Sequence, residues 1–266
     1  MSIEELHQLE FEIESDDTRA LILEEKEYYV PMIGEIDEFK SKMGMDYILT
    51  SDRVSDYFRD VKCGEVSCLC NYPEESRQKS LEQVFKLLHQ WWVLKLIHET
   101  LGAAKIERGW SVTQGELYPV SIFIDEQGNY YTCWFELQRI RQVPPSYKGP
   151  LVAFLEGKVA WVRPDLIVSK GKYNSATDVG EFDILVECKN LPFDKWWADG
   201  RIIEKQFLPY RALFNPRNTF IASLKPIPNW AKQRMENQGF LVADKVYPGG
   251  EGVSKFVELI KQKGRS

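Results

Sequence analysis

Between residues 80 and 101 the apolar positions recur at helical spacing. Leu81, Val84, Phe85, Leu88, Trp91, Trp92, Leu94, Leu96 and Ile97 form a wide apolar face, the pattern of a helix set against a core. Ser80 is placed to cap it and Gly102 to end it. Beyond Gly102 the period shortens. Residues 110–112, 118–125 and 130–138 read as strands, with Asp125-Glu126-Gln127-Gly128-Asn129 as the turn between the last two. Residues 143–150 read as a loop, 159–168 and 182–188 as strands, and 171–180 as their polar connection. A loop over 190–200 holds Trp196 and Trp197, which read as packing residues first and as base-stacking residues second. A helix over 201–214, bent near Pro209, is followed by a strand over 219–224. A helix over 230–237 ending at Gly239, a strand over 240–246 and a helix over 252–263 complete the chain. This order predicts an α/β domain with one dominant mixed sheet.

The stretch ahead of residue 80 is less regular. Residues 19–24 and 28–33 read as short strands, 35–43 and 51–61 as helices with Ser51 as a cap, and 63–77 as a loop. The chain therefore divides into an α+β N-terminal region, 1–79, and a main domain, 80–266. Charge changes along the chain in the same place. Residues 1–80 hold 20 carboxylates and 9 bases, a balance of −11, and residues 81–266 hold 20 and 25, a balance of +5. A mildly basic main part suits a polyanionic partner, and the acidic segment could dock a basic protein or cover the basic face.

Composition closes off several classes. With 44% hydrophobic and 13% aromatic residues, the 266-residue chain can fill a sizeable core. Its longest apolar run, around Trp91 to Ile97, contains Lys95 and is too short for a bilayer. The first residues lack the basic start and apolar stretch of a signal peptide, so no membrane partner and a cytoplasmic location are expected. Cys63, Cys68 and Cys70 cluster, but their spacing is not a usual zinc-finger spacing and no histidine stands near, so they read as reduced thiols ahead of a zinc or iron–sulfur centre completed by a fourth ligand. His7, His89 and His98 make no His-x-x-x-His or His-Glu-x-x-His pattern, which disfavours a histidine-based nuclease or metalloprotease. Gly249-Gly250-Glu251-Gly252 lacks the following Lys-Ser/Thr of a phosphate loop, which argues against an ATPase.

Charged residues inside apolar strands carry the chemistry. Asp165 lies in Trp161-Val162-Arg163-Pro164-Asp165-Leu166-Ile167-Val168, and Glu187 and Lys189 end Phe182-Asp183-Ile184-Leu185-Val186-Glu187-Cys188-Lys189. Unpaired charges rarely go inside a protein, so these need a reason. Strand alternation puts Asp183, Leu185, Glu187 and Lys189 on one face and Ile184, Val186 and Cys188 on the other. An antiparallel pairing with the preceding strand would bring Asp165 beside Glu187. Two carboxylates so placed suit Mg²⁺, and a neighbouring lysine could orient a water or stabilise charge on a phosphate. Asp183 reads as a strand-entry residue paired with a lysine ahead of a second metal ligand. Lys195, Arg201, Lys205, Arg211 and Arg217 surround or follow the site and could contact phosphates.

Pro164-Asp165 followed by Glu187-Cys188-Lys189 resembles the signature of the PD-(D/E)xK nuclease superfamily, which includes restriction endonucleases, Holliday-junction resolvases and RecB-type exonucleases. The resemblance covers residues 80–225. Acid-x-Lys also occurs at Glu24/Lys26, Glu38/Lys40, Asp60/Lys62 and Glu156/Lys158, so the weight rests on the order of motifs along the chain. It implies a restriction-endonuclease-like mixed sheet core (αβββαβ), here with an N-terminal α+β extension. It further implies Mg²⁺, with Mn²⁺ as a substitute, on Asp165, Glu187 and the Cys188 carbonyl. Glu82 on the first core helix would assist through water, and Lys189 would act on the nucleophile or transition state. Gln206 and Tyr210, a RecB-type Gln-x-x-x-Tyr pair, would brace site or substrate, alongside Arg201 and Lys205. The implied activity is hydrolysis of phosphodiester bonds, with DNA expected ahead of RNA. The alternatives are a non-catalytic nuclease-fold module that binds nucleic acid or protein, and a subunit active only in a transposition or defence assembly. A homodimer is compatible with any of these.

Overall fold

The computed structural model describes residues 16–45, 74–108, 118–137 and 163–264. His7, the readings at 51–61, 110–112 and 143–150, and the cluster Cys63, Cys68 and Cys70 lie outside the described residues.

Among the described residues, seven strands form one mixed sheet whose spatial order is the chain order: β1 (Ala103–Arg108), β2 (Ser121–Asp125), β3 (Tyr130–Phe135), β4 (Leu166–Lys170), β5 (Phe182–Lys189), β6 (Pro216–Ser223) and β7 (Leu241–Ala243). β1 to β5 pair antiparallel, whereas β5–β6 and β6–β7 pair parallel. The six helices of the described residues are α1 (Asp16–Lys42), α2 (Glu74–Thr100), α3 (Phe193–Trp197), α4 (Leu208–Phe214), α5 (Asn229–Glu236) and α6 (Gly252–Gly264). A π-helical turn, Ile203–Phe207, leads into α4. Parallel neighbours need long crossovers, which α3, α4 and α5 supply. The protein is α/β.

Local chemistry explains the joints. In the β2–β3 turn, Asp125 Oδ1 accepts the backbone N–H groups of Gln127 and Asn129 at 2.9 and 2.8 Å, and Gly128 takes φ +83°. Gly102, at φ +80°, closes α2. α2 starts at Glu74, so Ser80 lies inside the helix and does not cap it. At the start of α6 the chain passes so close to β7 that a Cβ on Gly252 would lie 1.7 Å from the Asp244 carbonyl oxygen. The Gly-rich stretch there serves packing.

The helices sandwich the sheet. α1, α2 and α6 share one core cluster with Phe123, Cys133, Val168, Ile184, Val186 and Phe220. α4 packs on the opposite face with Trp134, Ile167 and Leu185, and α3 and α5 pack there around Ile221 and Val242. From Leu87 to Ile97 every residue of α2 is buried. Its polar members therefore need partners. His89 Nε2 meets the Val246 carbonyl at 3.1 Å, and His98 bridges the Leu94 carbonyl and Ser121 Oγ at 2.7 Å each. Burial pushes both imidazoles down to about 4.

Beyond the Ser80 cap, the loop over 63–77, of which 74–77 belongs to α2, and the loop over 190–200, which contains α3, two larger readings of the sequence are corrected. The strands expected at 19–24 and 28–33 do not form; both stretches belong to α1. Its buried positions, Ile22, Tyr29, Met32, Ile33, Ile36 and Phe39, follow a period near 3.6. Pro31 sits on an exposed position of that helix, and docking on α2, with Tyr29 stacked on Phe85 at 4.3 Å, offsets its cost. The described part of the N-terminal region is thus helical and shares the main core. The second correction adds β1, whose Ala103-Ala104-Lys105-Ile106-Glu107-Arg108 carries one large apolar side chain and lacks a strand-like pattern.

Candidate functional site

β5 is the strand at which the sheet changes from antiparallel to parallel pairing. In open α/β sheets the carboxyl end of such a strand is a natural place for a ligand. Glu187 and Lys189 stand at that end. Register pairs Leu166 with Val186, and continuing it by one residue brings Asp165 opposite Glu187. Alternation holds as the sequence suggests: Ile184, Val186 and Cys188 pack toward α2, and Leu185 packs toward α4.

The two carboxylates are almost fully enclosed, Asp165 at 2% and Glu187 at 3% exposure. Asp165 Oδ1 accepts Gln90 Nε2–H at 2.5 Å, and Asp165 Oδ2 accepts the Cys188 backbone N–H at 2.7 Å. Glu187 Oε1 accepts Lys189 Nζ at 2.7 Å and Gln206 Nε2 at 2.6 Å. Glu187 Oε2 is buried and has no hydrogen-bond partner among the described residues. Burial and the nearby Asp165 charge push the Glu187 carboxyl up to about 7, against the opposing pull of Lys189.

Gln206 ties three groups together. Besides Glu187, its Nε2 donates to Tyr210 Oη at 2.8 Å, and its Oε1 accepts Lys189 Nζ at 3.2 Å. Tyr210 in turn donates to the Arg163 carbonyl at 3.0 Å, so α4 is bonded to the segment entering β4. The chain meets Pro209 through the π-helical turn, in which the Leu208 N–H bonds the Ile203 carbonyl. That wider turn accommodates a proline at the head of α4 while Gln206 and Tyr210 stay on one side. Phe207 and Trp196 flank the Lys189 ammonium at 5.5 and 5.9 Å from their ring centres.

Other expected residues fall differently. Glu82, half-buried on α2, makes no hydrogen bond or ion pair to Asp165 or Glu187. The row it begins continues through Lys86 and Gln90, at four-residue steps, and those two reach Asp165. Lys86 Nζ lies 3.4 Å from Asp165 Oδ1 and 3.6 Å from Glu136 Oε1, and Arg163 approaches the other Glu136 oxygen at 3.5 Å. The Asp165 charge, above all, raises the Lys86 pKa. Arg201 and Lys205 are exposed on the stretch leading to Gln206, and Arg201 donates to the Ala198 carbonyl. Arg211 donates to the Gln238 carbonyl, and Arg217 pairs with Glu181 and Asp183. Asp183 also accepts the Lys170 backbone N–H at 2.6 Å, so its partners are a main-chain amide and Arg217 in place of the lysine side chain expected. Trp196 and Trp197 are buried with Phe193, leaving Trp230 as the exposed ring of that cluster. The Cys188 thiol faces the core, and burial raises its pKa; the backbone N–H is what Cys188 turns to Asp165.

Among the described residues no three His, Cys, Asp or Glu side chains form a metal-binding group. The donors at hand are two carboxylates and backbone oxygen. Mg²⁺ tolerates so small a protein set because it keeps several waters. The unpartnered, buried Glu187 Oε2 fits a cation or its water. Comparison with protein-family models, curated proteins and solved structures finds no match for this chain.

Proposed function

We propose that this protein is a divalent-metal-dependent nuclease that hydrolyses phosphodiester bonds, in DNA ahead of RNA, on a core of the PD-(D/E)xK type. The observation that carries the reading is Glu187 Oε2, a buried carboxylate oxygen without a partner among the described residues, beside Asp165 and a braced lysine. A carboxylate held in that state calls for a cation. Asp165, Glu187 and the Cys188 carbonyl would hold Mg²⁺ or Mn²⁺. The ion would supply Lewis-acid activation of a phosphoryl oxygen and of a water.

The chain's own groups do the positioning. The Cys188 N–H and Gln90 fix the Asp165 carboxylate from two sides. Gln206 and Glu187 occupy two of the three donor directions of Lys189. The third is available to a water or a phosphate oxygen. Phe207 and Trp196 give that ammonium apolar walls, which strengthens its pull on developing negative charge. Exposed Lys195, Arg201 and Lys205 lie on the stretch that carries Gln206 and suit a phosphate backbone.

The test is a cleavage assay with linear, circular, single-stranded and branched DNA and with RNA, in Mg²⁺ or Mn²⁺ and in chelator. Cleavage is expected only with metal. Asp165→Ala and Lys189→Ala, shown to be folded by circular dichroism, should each lose about a hundredfold or more of it. If both variants cut like wild type, the site is elsewhere.

A further inference from the structure

Lys86 has no part in the acid–acid–lysine set, yet it faces the most enclosed acid of the site. It stands on α2, one turn before Gln90. Its ammonium lies 3.4 Å from Asp165 Oδ1 and 3.6 Å from Glu136 Oε1. A carboxylate as buried as Asp165 needs a counter-charge, and Lys86 supplies it. Both separations exceed the 2.7–2.9 Å of a tight charge-assisted hydrogen bond. The lysine neutralises Asp165 without saturating its lone pairs, which Gln90 and Cys188 hold more closely. Its side chain is 33% exposed and ends in an unbranched stem, so the ammonium can swing toward solvent.

Glu136 supplies a second place for it. This residue leaves β3 at φ +46°, a left-handed conformation that a non-glycine residue keeps only when its surroundings enforce it. Its N–H bonds the Asp165 carbonyl at 2.9 Å, and Arg163 holds its far oxygen. One carboxylate is thus fixed next to the other, with one lysine between them.

We propose that Lys86 is an exchangeable counter-ion: it neutralises Asp165 in the metal-free protein and yields it to a divalent cation, moving toward Glu136 and solvent to meet a substrate phosphodiester. The proposal rests on the nuclease reading of this site. It has a thermodynamic consequence. Metal alone must displace a cation already in place, whereas metal with nucleic acid gives the displaced ammonium an anion. Metal and phosphodiester therefore bind with positive, reciprocal coupling. A lysine that merely braces the fold would add nothing to the coupling that a direct metal–phosphate contact gives by itself.

Calorimetric titration of Mn²⁺ into the full chain tests this, using wild type, Lys86→Met and Asp165→Asn, with and without a cleavage-resistant phosphorothioate oligonucleotide. Without oligonucleotide, Lys86→Met should bind Mn²⁺ about tenfold more tightly than wild type, because one opposing charge is gone. Oligonucleotide should tighten Mn²⁺ binding to wild type by a clearly larger factor than to Lys86→Met, in which only the direct metal–phosphate contact remains to couple the two; an equal factor overturns the proposal. Equal or weaker Mn²⁺ affinity in Lys86→Met, with binding still lost in Asp165→Asn, overturns the counter-ion role and leaves the nuclease reading intact. Absence of Mn²⁺ binding in every protein overturns both. Should Lys86→Met fold only with metal, Lys86→Gln replaces it in a thermal melt: a larger Mn²⁺-induced rise in Tm than wild type supports the proposal, and an equal rise refutes it.

Discussion

Glu187 carries opposed demands: one oxygen accepts Lys189 and Gln206, while the other is buried without a partner among the described residues. A carboxyl pushed up to about 7 by burial holds a proton that a metal must replace. Mn²⁺ affinity should therefore rise with pH through neutrality and level off above it; a flat titration across that range would contradict the assignment of Glu187. Gln206→Ala removes three hydrogen bonds from the brace and should lower metal-dependent cleavage by about tenfold or more, at a stability cost of about 1–3 kcal/mol that leaves the protein folded. His89 and His98 make a separate prediction about stability. Folding lowers both from 6.5 to about 4, so the unfolded chain binds the extra protons between those values. Their contribution is complete above pH 6.5 and is lost as pH falls toward 4, on the order of 3 kcal/mol for each histidine. Urea denaturation over that window, compared with His98→Asn, checks the slope. Of these residues the sequence made the acids and the lysine legible, because charge inside an apolar strand is conspicuous. Lys86 and Gln90 were not, since a polar row on a long helix looks like a solvated edge. The signal was present for Gln90: it stands in Leu87-Leu88-His89-Gln90-Trp91-Trp92-Val93-Leu94, where the apolar neighbours leave no charged, solvent-seeking face.

Elements were legible where the apolar period was clean and obscure where tertiary packing overrode local preference. α2, β5, α5 and α6 follow their patterns closely. α1 does not, because Tyr28-Tyr29-Val30-Pro31 resembles a strand and a proline inside a helix costs about 3 kcal/mol. Contacts from Tyr29, Met32 and Ile36 to the core outweigh that cost. β1 failed for the reverse reason: its pairing with β2 holds it in the sheet with little apolar periodicity of its own. The π-helical turn before Pro209 was expected only as a bend, yet it lets Tyr210 reach the segment entering β4. Tyr210→Phe breaks that tie and should cost about 1–2 kcal/mol of stability. Gly252→Ala forces a methyl onto the Asp244 carbonyl and should cost about 3 kcal/mol or more in a urea melt, with α6 losing its hold on β7.

At the scale of the molecule, the acidic first segment and the basic remainder do not separate in the way their charges suggest. α1 lies in the same core as α2 and the sheet. Glu35 accepts Trp92 Nε1 and Lys95 Nζ, each at 2.9 Å. Deleting residues 1–79 should therefore give an unstable protein and not a core with a bared nucleic-acid face. A truncated protein with a wild-type melt and stronger nucleic-acid binding would restore the covering role. The seven strands lie in chain order, so the sheet can grow by adding each strand to the previous one. α1 departs from that local rule. Its Glu25 pairs with Lys225 at 2.8 Å, and Tyr28 lies under the same ammonium at 4.1 Å. These partners stand 200 positions apart. At about 5–20 residues per second, a ribosome makes the second roughly 10–40 s after the first. Only Glu25 and Tyr28 must wait that long: the apolar face of α1 docks on α2, whose Trp92 bonds Glu35 across 57 positions, so the newborn chain can cover that face well before Lys225 is made.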